Sequence, residues 1–450
     1  MKTVILGAGR RGSMLASHLI HEKQDVVVID SDPKRANDIQ SRLDCLVIIG
    51  SGTNIDFLRE AEVAKADFFI AVTDSDETNL VACGLVETIR SEVTTIAAIR
   101  NLTYVGKDGL PTTILGINHI VNPEAETALS IHTFINRGIV SDAITFEKSN
   151  LVLYNIFVGP KSRFANQSIA DCRSSIGTEF VIAAMYRKGE AIVPHGDTIV
   201  HSEDTLAIAA ADDGREALFN IIGQKKVAPK KIVIVGGSKI ARFLLKSFKS
   251  SELRNIALVE QNPQVCDSFA SLFPNLLVIR SDITDETIFE EELLNRYDLL
   301  ISLTDSDELN VITASYAKSE GVGSTIALIK RNNNYSRLAR HLNIDSIISV
   351  SEATVDSLLK YMRGKHVSSV HSLFNGLFEV FESEVSKEMK ICGKKIEQLN
   401  IQKKAIICGI TKSDKTNIIP TGSYKIESGD ILLVCAERSQ LTTVQKVFLQ

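Results

Sequence analysis

The sequence of 450 residues has no apolar run near the roughly 18 residues that a membrane-spanning helix requires. Its N-terminus has no charged segment followed by an apolar stretch and a small-residue cleavage site, so we expect neither a secretion signal nor direct membrane insertion. The sequence also has no excess of positive charge, since it contains 50 Lys and Arg and 55 Asp and Glu. With a net charge of −5, we expect no nucleic-acid partner.

Metal-binding cysteine pairs are also absent, since none of the seven cysteines forms a C-x-x-C pair. Most of them lie in apolar surroundings, which is typical of reduced core residues in a cytoplasmic protein. The nine histidines are scattered, and none forms a pair with metal-ligand spacing. The sequence therefore predicts no metal site, and it has no evident constellation of catalytic acid and base residues.

What the sequence does contain is a Gly-x-Gly-x-x-Gly loop between a short strand and a helix. The strand Val4–Leu6 stops at Gly7, and Gly9 and Gly12 follow before a helical pattern begins. Gly7 permits the tight turn, Gly9 lets the backbone approach a phosphate, and Gly12 allows close packing of helix and strand. The N–H groups at the start of the helix then face the phosphates. This order predicts a dinucleotide-binding site, with an ordinary glycine turn as the alternative.

A second strand, Val26–Ile29, ends in Asp30, close to the spacing of about 20 residues at which a ribose-binding carboxylate is expected. No Arg or Lys follows Asp30 immediately, so NAD-type ligands are favoured over 2′-phosphorylated ones. Further strands predict an open, mostly parallel sheet of about six strands, whose turns line one crevice at the carboxyl ends of the strands. The crevice turns carry Gly7, Asp30, Ser51 and Thr73.

The turn after the fourth strand is acidic. Asp74 and Glu77 have the spacing of a capping box, which predicts that a helix starts there. A cation site formed by Asp74, Asp76 and Glu77 is the less favoured interpretation.

The same plan begins again at Lys230. Thr304–Asn310 repeats Thr73–Asn79 almost residue for residue at an offset of 231, and Pro420–Gly422 matches Pro194–Gly196 at an offset of 226. Near-constant offsets in both parts indicate that a whole unit was duplicated. We therefore predict an α/β protein with two Rossmann-like, doubly wound parallel sheets, each followed by a small α+β domain. The predicted limits are 1–123 and 229–350 for the Rossmann-like domains, 124–141 and 351–366 for crossover helices with linkers, and 142–226 and 367–450 for the small domains.

The first glycine loop, the run Thr73–Asn79 followed by Val81–Cys83, the turn Val235–Gly237 and the doubled layout resemble the TrkA family over essentially the whole chain. Members carry two RCK (KTN) units in tandem, each a Rossmann-like domain followed by a smaller C-terminal domain. The resemblance implies a cytoplasmic regulatory subunit, not an enzyme, that binds NAD or NADH and responds to ATP and ADP. It also implies a tetramer that attaches peripherally to a membrane-embedded potassium translocator of the TrkH/TrkG type.

Carried onto this sequence, the resemblance implies phosphate contacts in the first loop, a ribose contact at Asp30 and a distal nucleotide bordered by Thr73 and Asp74. Ala98 stands where the family often has an arginine, so Arg100 is a weaker candidate for that contact. The candidate residues of the first pocket are Gly7, Ala8, Gly9, Arg10, Arg11, Asp30, Ser51, Thr73, Asp74 and Arg100, and those of the second are Gly236, Gly237, Ser238, Lys239, Ile240, Glu260, Thr304, Asp305 and Arg331.

Two questions stay open at this point. Ser238 replaces the second glycine of the second loop and adds a side chain where a pyrophosphate would approach, so the second pocket either binds a nucleotide or has lost that ability. Arg10 and Arg11 are either solvated loop residues or contacts to phosphate or to a neighbouring subunit. The alternative functions are an NAD-dependent oxidoreductase of unknown substrate and a nucleotide-binding scaffold without a transporter partner.

Overall fold

Contacts between residues divide the computed structural model into two units. The first contains Met1–Val121, Ala143–Lys225 and Val355–Gln450, and the second contains Asn122–Asp142 and Lys226–Thr354. The structure describes residues 1–104, 115–136, 143–159, 162–176, 180–210, 229–285, 287–331, 335, 342–363, 367–374, 376–401 and 404–448.

A six-stranded parallel sheet organises the N-terminal part of the first unit. Its strands are β1 (Lys2–Leu6), β2 (Asp25–Asp30), β3 (Leu46–Ile49), β4 (Phe68–Ala71), β5 (Thr94–Ala98) and β6 (His119–Val121). Their order is β3-β2-β1-β4-β5-β6. The order reverses between β1 and β4, and open α/β sheets bind ligands at such a switch point, outside the carboxyl ends of the strands.

Helices cover both faces of this sheet, which explains why its central strands are almost wholly apolar. Leu15 and Leu19 of the first helix pack on one face, whereas Leu58 and Val86 pack on the other. The helices are α1 (Arg10–His21), α2 (Pro33–Arg42), α3 (Ile55–Glu60) and α4 (Asp76–Ile89), with short 3-10 turns at Val63–Lys65 and Leu102–Tyr104.

The second unit repeats this plan with the order β14-β13-β12-β15-β16-β17. It also contains α5 (Pro123–Asn136), whose Ala128 and Ile131 share a core with Leu244. The strands are β12 (Ile232–Val235), β13 (Ile256–Glu260), β14 (Leu277–Arg280), β15 (Leu299–Ser302), β16 (Ser324–Ile329) and β17 (Ser346–Ser349). The other helices are α7 (Lys239–Lys246), α8 (Pro263–Leu272), α9 (Ile288–Glu291) and α10 (Asp307–Ser319), with 3-10 turns at Glu252–Asn255 and Leu294–Arg296.

Two antiparallel sheets of five strands complete the first unit, with orders β10-β9-β11-β8-β7 and β18-β19-β22-β20-β21. The first sheet has β7 (Ala143–Thr145), β8 (Val152–Phe157), β9 (Phe180–Arg187), β10 (Glu190–Ile192), β11 (Thr205–Ala210) and α6 (Ile169–Ile176). The second has β18 (Val367–Leu373), β19 (Phe378–Glu384), β20 (Ala405–Thr411), β21 (Asn417–Ile418), β22 (Ile431–Glu437) and α12 (Leu441–Phe448), with 3-10 turns at Ile396–Gln398 and Arg438–Gln440.

The two small domains share one apolar core, in which Leu153 and Ala184 from the first sheet meet Phe378 and Leu433 from the second. The helix α11 (Val350–Arg363) ends in the first unit, where its Leu358 joins the core around α1. The predicted fold class is confirmed: two parallel Rossmann-like sheets, each followed in the chain by an antiparallel sheet. The exact domain limits stay predictions.

Throughout the described ranges, every helix is too short or too polar to span a bilayer. All seven cysteines are free thiols, and five of them are buried.

Candidate functional site

The loop between β1 and α1 has the geometry of a phosphate-binding turn. Gly7 has a positive φ of 111°, and a Cβ atom on Gly12 would lie 1.8 Å from the carbonyl oxygen of Gly7, so chain packing accounts for both glycines. Gly9 differs, because its φ of −66° suits any residue and a Cβ there would meet only Arg35 Nη1, at 3.9 Å. The chain therefore leaves open space beside Gly9, at the N-terminus of α1, where a phosphate would fit.

Asp30 holds this loop in place. Its Oδ2 accepts a hydrogen bond from the backbone N–H of Ala8 at 2.5 Å, and its Oδ1 accepts one from Asp32 N–H at 2.8 Å. Each carboxylate oxygen can accept a second hydrogen bond, so acceptor capacity remains for ribose hydroxyls. Asp30, which is predicted to bind ribose, thus holds in place the backbone that would contact the phosphates.

The turn after β4 is organised by Asn79, which the sequence analysis did not select. Its Oδ1 accepts hydrogen bonds from Thr73 N–H at 3.1 Å and Thr73 Oγ1 at 2.7 Å, and its Nδ2 donates to the carbonyl of Ala98 at 2.8 Å. Asn79 is completely buried and therefore positions Thr73 at the rim of the crevice. Its recurrence as Asn310 was the signal in the sequence that could have identified it.

The predicted capping box of Asp74 and Glu77 is wrong. The N-cap of α4 is Ser75, whose Oγ accepts from Thr78 N–H at 3.1 Å and donates to Glu77 at 2.9 Å. Asp76 instead accepts hydrogen bonds from the backbone N–H groups of Arg100 and Asn101. An N-cap residue has extended backbone, and Ser75 has φ −109° and ψ 119°.

Asp74 forms ion pairs with three arginines. Its Oδ1 lies 2.9 Å from Arg11 Nη2 and 2.9 Å from Arg100 Nη2, and its Oδ2 lies 3.8 Å from Arg35 Nη1. Arg35, in the first turn of α2, is not among the predicted residues because it follows Asp30 by five positions rather than immediately. We call Arg11, Arg35 and Arg100 the arginine trio. Around one carboxylate they concentrate an excess of positive charge beside the glycine loop.

The remaining candidates of the first pocket lie at the same edge of the sheet. Ala8 is buried in the loop, and Arg10 is exposed at the first position of α1. Ser51, just after β3, exchanges a hydrogen bond of 2.8 Å with Thr53 Oγ1. Among the described residues, no group of three or more His, Cys, Asp or Glu side chains is arranged to hold a metal ion.

The second pocket keeps the backbone framework of the first. Gly236 has a φ of 98°, Glu260 accepts from Gly237 N–H at 2.7 Å, and Asn310 binds Thr304 as Asn79 binds Thr73. Asp307 accepts from the N–H groups of Lys330 and Arg331, as Asp76 does from residues 100 and 101.

The polar side chains of the second pocket differ. Ser238 Oγ accepts from Ala241 N–H at 3.3 Å, so a hydroxyl occupies a helix donor that a phosphate would otherwise use. Ile240 is buried and takes the place of Arg11, and Val265 takes the place of Arg35. Lys330 forms an ion pair with Asp305 at 2.7 Å, and the predicted Arg331 donates its backbone N–H to Asp307. Lys330 lowers the pKa of Asp305 by its hydrogen bond and charge. Lys239 is exposed at the start of α7.

Comparison with known proteins agrees with this doubled arrangement. The TrkA-N domain model matches residues 3–123 and 232–350, and the TrkA-C domain model matches residues 153–223 and 380–449. A curated relative from Methanosarcina mazei, Trk system potassium uptake protein TrkA homolog 1, is 28% identical over 100% of both chains. The Trk system potassium uptake protein TrkA of Haemophilus influenzae is 29% identical over 100% of this chain and 98% of its own.

Solved structures share the fold. The GsuK channel bound to NAD is 17% identical, with a TM-score of 0.55 over 100% of this chain and 79% of its own. The GsuK RCK domain is also 17% identical, with a TM-score of 0.54 over 100% of this chain and 95% of its own. Because TrkA-N and TrkA-C matches alternate along nearly the whole sequence, this chain belongs to the TrkA family, with two TrkA-N and TrkA-C pairs in tandem.

Proposed function

We propose that this protein is a nucleotide-sensing regulatory subunit that binds NAD(H) and adenine nucleotides in its first pocket and gates a membrane potassium translocator. The observation that carries the proposal is the combination of open space at Gly9 with the arginine trio beside it. A helix N-terminus and clustered guanidinium groups are both suited to phosphate oxygens.

The chemistry of the first pocket suits a ligand with a diphosphate and a ribose. The backbone N–H groups at the start of α1 would bind the diphosphate, and the free acceptor capacity of Asp30 would take the ribose hydroxyls. Asp74 supplies a negative charge to Arg11 and Arg100. A phosphate-rich ligand would compete with Asp74 for these arginines, which favours nucleotides over neutral ligands.

The second pocket is proposed to bind nucleotide more weakly. It keeps Glu260 and Thr304, but Ser238 caps its own helix and Lys330 is the single cation in contact with Asp305 among the described residues. The second repeat thus supports a framework role more than a sensing role.

The partner is proposed from the names of the relatives, which are potassium-uptake proteins of the Trk system. We propose peripheral attachment of a homotetramer to a TrkH/TrkG-like translocator at the cytoplasmic face of the membrane. Exposed apolar side chains at matching positions support self-association: Val81 on α4 is 50% exposed, and Ile312 on α10 is 64% exposed. For binding to act as regulation, the nucleotides must bind two states of the assembly with different affinities.

The test is a calorimetric titration of the full chain with NADH, NADPH, ATP and ADP, with nicotinamide absorbance followed in parallel. We expect saturable binding at one strong site per chain without oxidation of NADH. Binding should weaken in Arg11→Gln with Arg100→Gln and stay unchanged in the matched control Lys330→Gln. Steady consumption of NADH would favour the oxidoreductase alternative. Equal weakening by the control would contradict the assignment of the first pocket, and potassium transport indifferent to nucleotides in the reconstituted complex would refute gating.

A further inference from the structure

The first unit buries four charged side chains that the nucleotide pocket does not use. Glu22 follows α1, Arg363 ends α11, Glu379 lies on β19 and Arg438 follows β22, and none of them is more than 6% exposed. We call these four residues the buried ion cluster. Its two carboxylates and two guanidinium groups balance, so no net charge is buried.

Arg363 is the centre of the cluster. It donates to Glu22 through both terminal nitrogens, with Nη1 at 2.9 Å from Oε2, and to Glu379 through Nε at 2.9 Å and Nη2 at 2.8 Å. Burial alone would lower the pKa of Arg363, but the charges of Glu379 and Glu22 outweigh burial and raise it. Two forked contacts fix the guanidinium plane, so Glu22 cannot move without breaking directional hydrogen bonds.

Arg438 ties the same cluster to the second small domain. Its Nη1 lies 3.4 Å from Glu22 Oε1 and 3.6 Å from Glu379 Oε2. Its Nε donates to the carbonyl of Gly376, and its Nη2 donates to Ser372 Oγ at 3.0 Å. The cluster therefore reaches from the end of α1 to β18, β19 and the turn before α12.

The helix α1 connects this cluster to the glycine loop. It has 12 residues, and at a rise of about 1.5 Å per residue its two ends are roughly 18 Å apart. The last turn of α1 and the residue after it each approach the second small domain. A Cβ atom on Gly376 would lie 2.5 Å from His18 Nε2, and the carbonyl of Glu22 accepts a hydrogen bond from Thr442 Oγ1 at 3.1 Å. A movement of the N-terminal end of α1 would thus shift the contacts that connect its C-terminal end to β19 and α12.

The counterparts of these residues in the duplication indicate that the fold does not require these charges. At the offsets of the duplication, Asn136 stands for Arg363, Val152 for Glu379 and Asp212, which lies outside the described residues, for Arg438. The counterpart of Glu22 is Glu252, in the turn after α7, and its side chain is exposed. Buried ion pairs rarely stabilise a protein more than apolar residues of similar size would, although removing one partner is costly. Because neither Arg363 nor Glu379 has a charged counterpart in the duplication, the cluster points to a role in coupling rather than in holding the fold together.

We propose that the buried ion cluster couples the first nucleotide pocket to the second small domain, so that a nucleotide at the start of α1 changes the local stability of β19 and α12. This inference rests on the proposed function, because it requires that the first pocket binds a nucleotide. Packed interfaces of this kind respond in discrete steps rather than by continuous deformation, so a small displacement of Glu22 breaks or reforms whole contacts.

The test is amide hydrogen exchange of the full chain with and without saturating NADH. We expect NADH to slow exchange at the glycine loop and to change exchange in β19 and α12. In the double variant Glu22→Gln with Arg438→Gln, which removes one charge of each sign, the loop should still be protected at full occupancy. The NADH-dependent change in β19 and α12 should then be lost. A merely structural role would alter the exchange without NADH but leave the NADH-dependent difference.

Each outcome separates the two proposals. Protection of the loop in the wild type without any change in β19 and α12 overturns the coupling alone, as does an undiminished change in the double variant. No protection of the loop by saturating NADH overturns the proposed NADH site and the coupling with it. If the double variant does not fold, Glu22→Asp decides, and we expect it to reduce the NADH-dependent change by at least half. The matched control Glu252→Gln should behave as the wild type.

Discussion

Substituting Gly9 by alanine separates ligand contact from folding in the glycine loop. The Cβ atom of Gly9→Ala would have no protein atom closer than 3.9 Å, and the backbone at this position, with φ −66° and ψ −176°, suits alanine. Alanine restricts the unfolded chain, but Gly9 is the N-cap of α1, where glycine is preferred to alanine. We therefore expect the free energy of unfolding to change by less than about 1 kcal/mol. Ser238, at the same position of the second loop, indicates that the fold accepts a side chain there.

The added methyl group would instead occupy the space proposed for a phosphate. Losing one hydrogen bond to a charged group costs roughly 1.5–3 kcal/mol, which corresponds to a Kd for NADH about 10- to 150-fold weaker. Gly12→Ala is the matched contrast, since its Cβ would lie 1.8 Å from the carbonyl oxygen of Gly7 and should cost roughly 1–3 kcal/mol of stability. Urea unfolding and calorimetry on both variants give the two quantities. Wild-type affinity in Gly9→Ala would refute the idea that the phosphate approaches at Gly9.

Three further changes have expected outcomes. Asp74→Asn removes the carboxylate that pairs with Arg11 and Arg100, so the Kd for ATP should tighten roughly two- to fivefold in calorimetry, as expected from exposed ion pairs; unchanged or weaker binding would argue against competition. Burial raises the pKa of Asp204, but hydrogen bonds, chiefly from Arg187, outweigh burial and lower it. Its contribution to stability is therefore complete above about pH 4 and is lost as the pH falls through the lowered value. Asp204→Asn should cost roughly 1.5–3 kcal/mol at pH 7 and remove this part of the acid dependence of urea unfolding, and an unchanged profile would contradict that account. Val81→Glu should reduce the mass measured by light scattering without lowering stability if α4 contributes to self-association, and an unchanged mass would exclude that surface.

The sequence was sufficient to predict the fold because the patterns that mark strands and turns are local and occur in both repeats. Apolar runs that end in glycine or acidic turns predict parallel strands, and the repeat of Thr73–Asn79 as Thr304–Asn310 reveals the duplication. It was insufficient for the side chains that complete the pocket. Arg35 is distant in sequence from Asp74 and lies near it only in the folded chain. Ser and Asp side chains can both cap a helix, so the choice of Ser75 over Asp74 depends on the backbone conformation. The buried ion cluster joins residues more than 300 positions apart, which no local pattern encodes.

The duplication itself helps to separate what the fold needs from what a ligand needs. Residues kept in both repeats, such as Asn79 and Asn310, hold the turn by the same hydrogen bonds, so their role is structural in each. Three positions beside the space proposed for phosphate differ between the repeats. Arg11 and Arg35 are replaced by Ile240 and Val265, and Gly9 is replaced by Ser238. If the second pocket bound a phosphate in the same way, the hydrogen bond that Ser238 Oγ accepts from Ala241 N–H would have to break. Because Ser238 already accepts a hydrogen bond from an N–H group at the start of α7, an anion bound there would add little stabilisation. We therefore expect nucleotide sensing to reside in the first repeat.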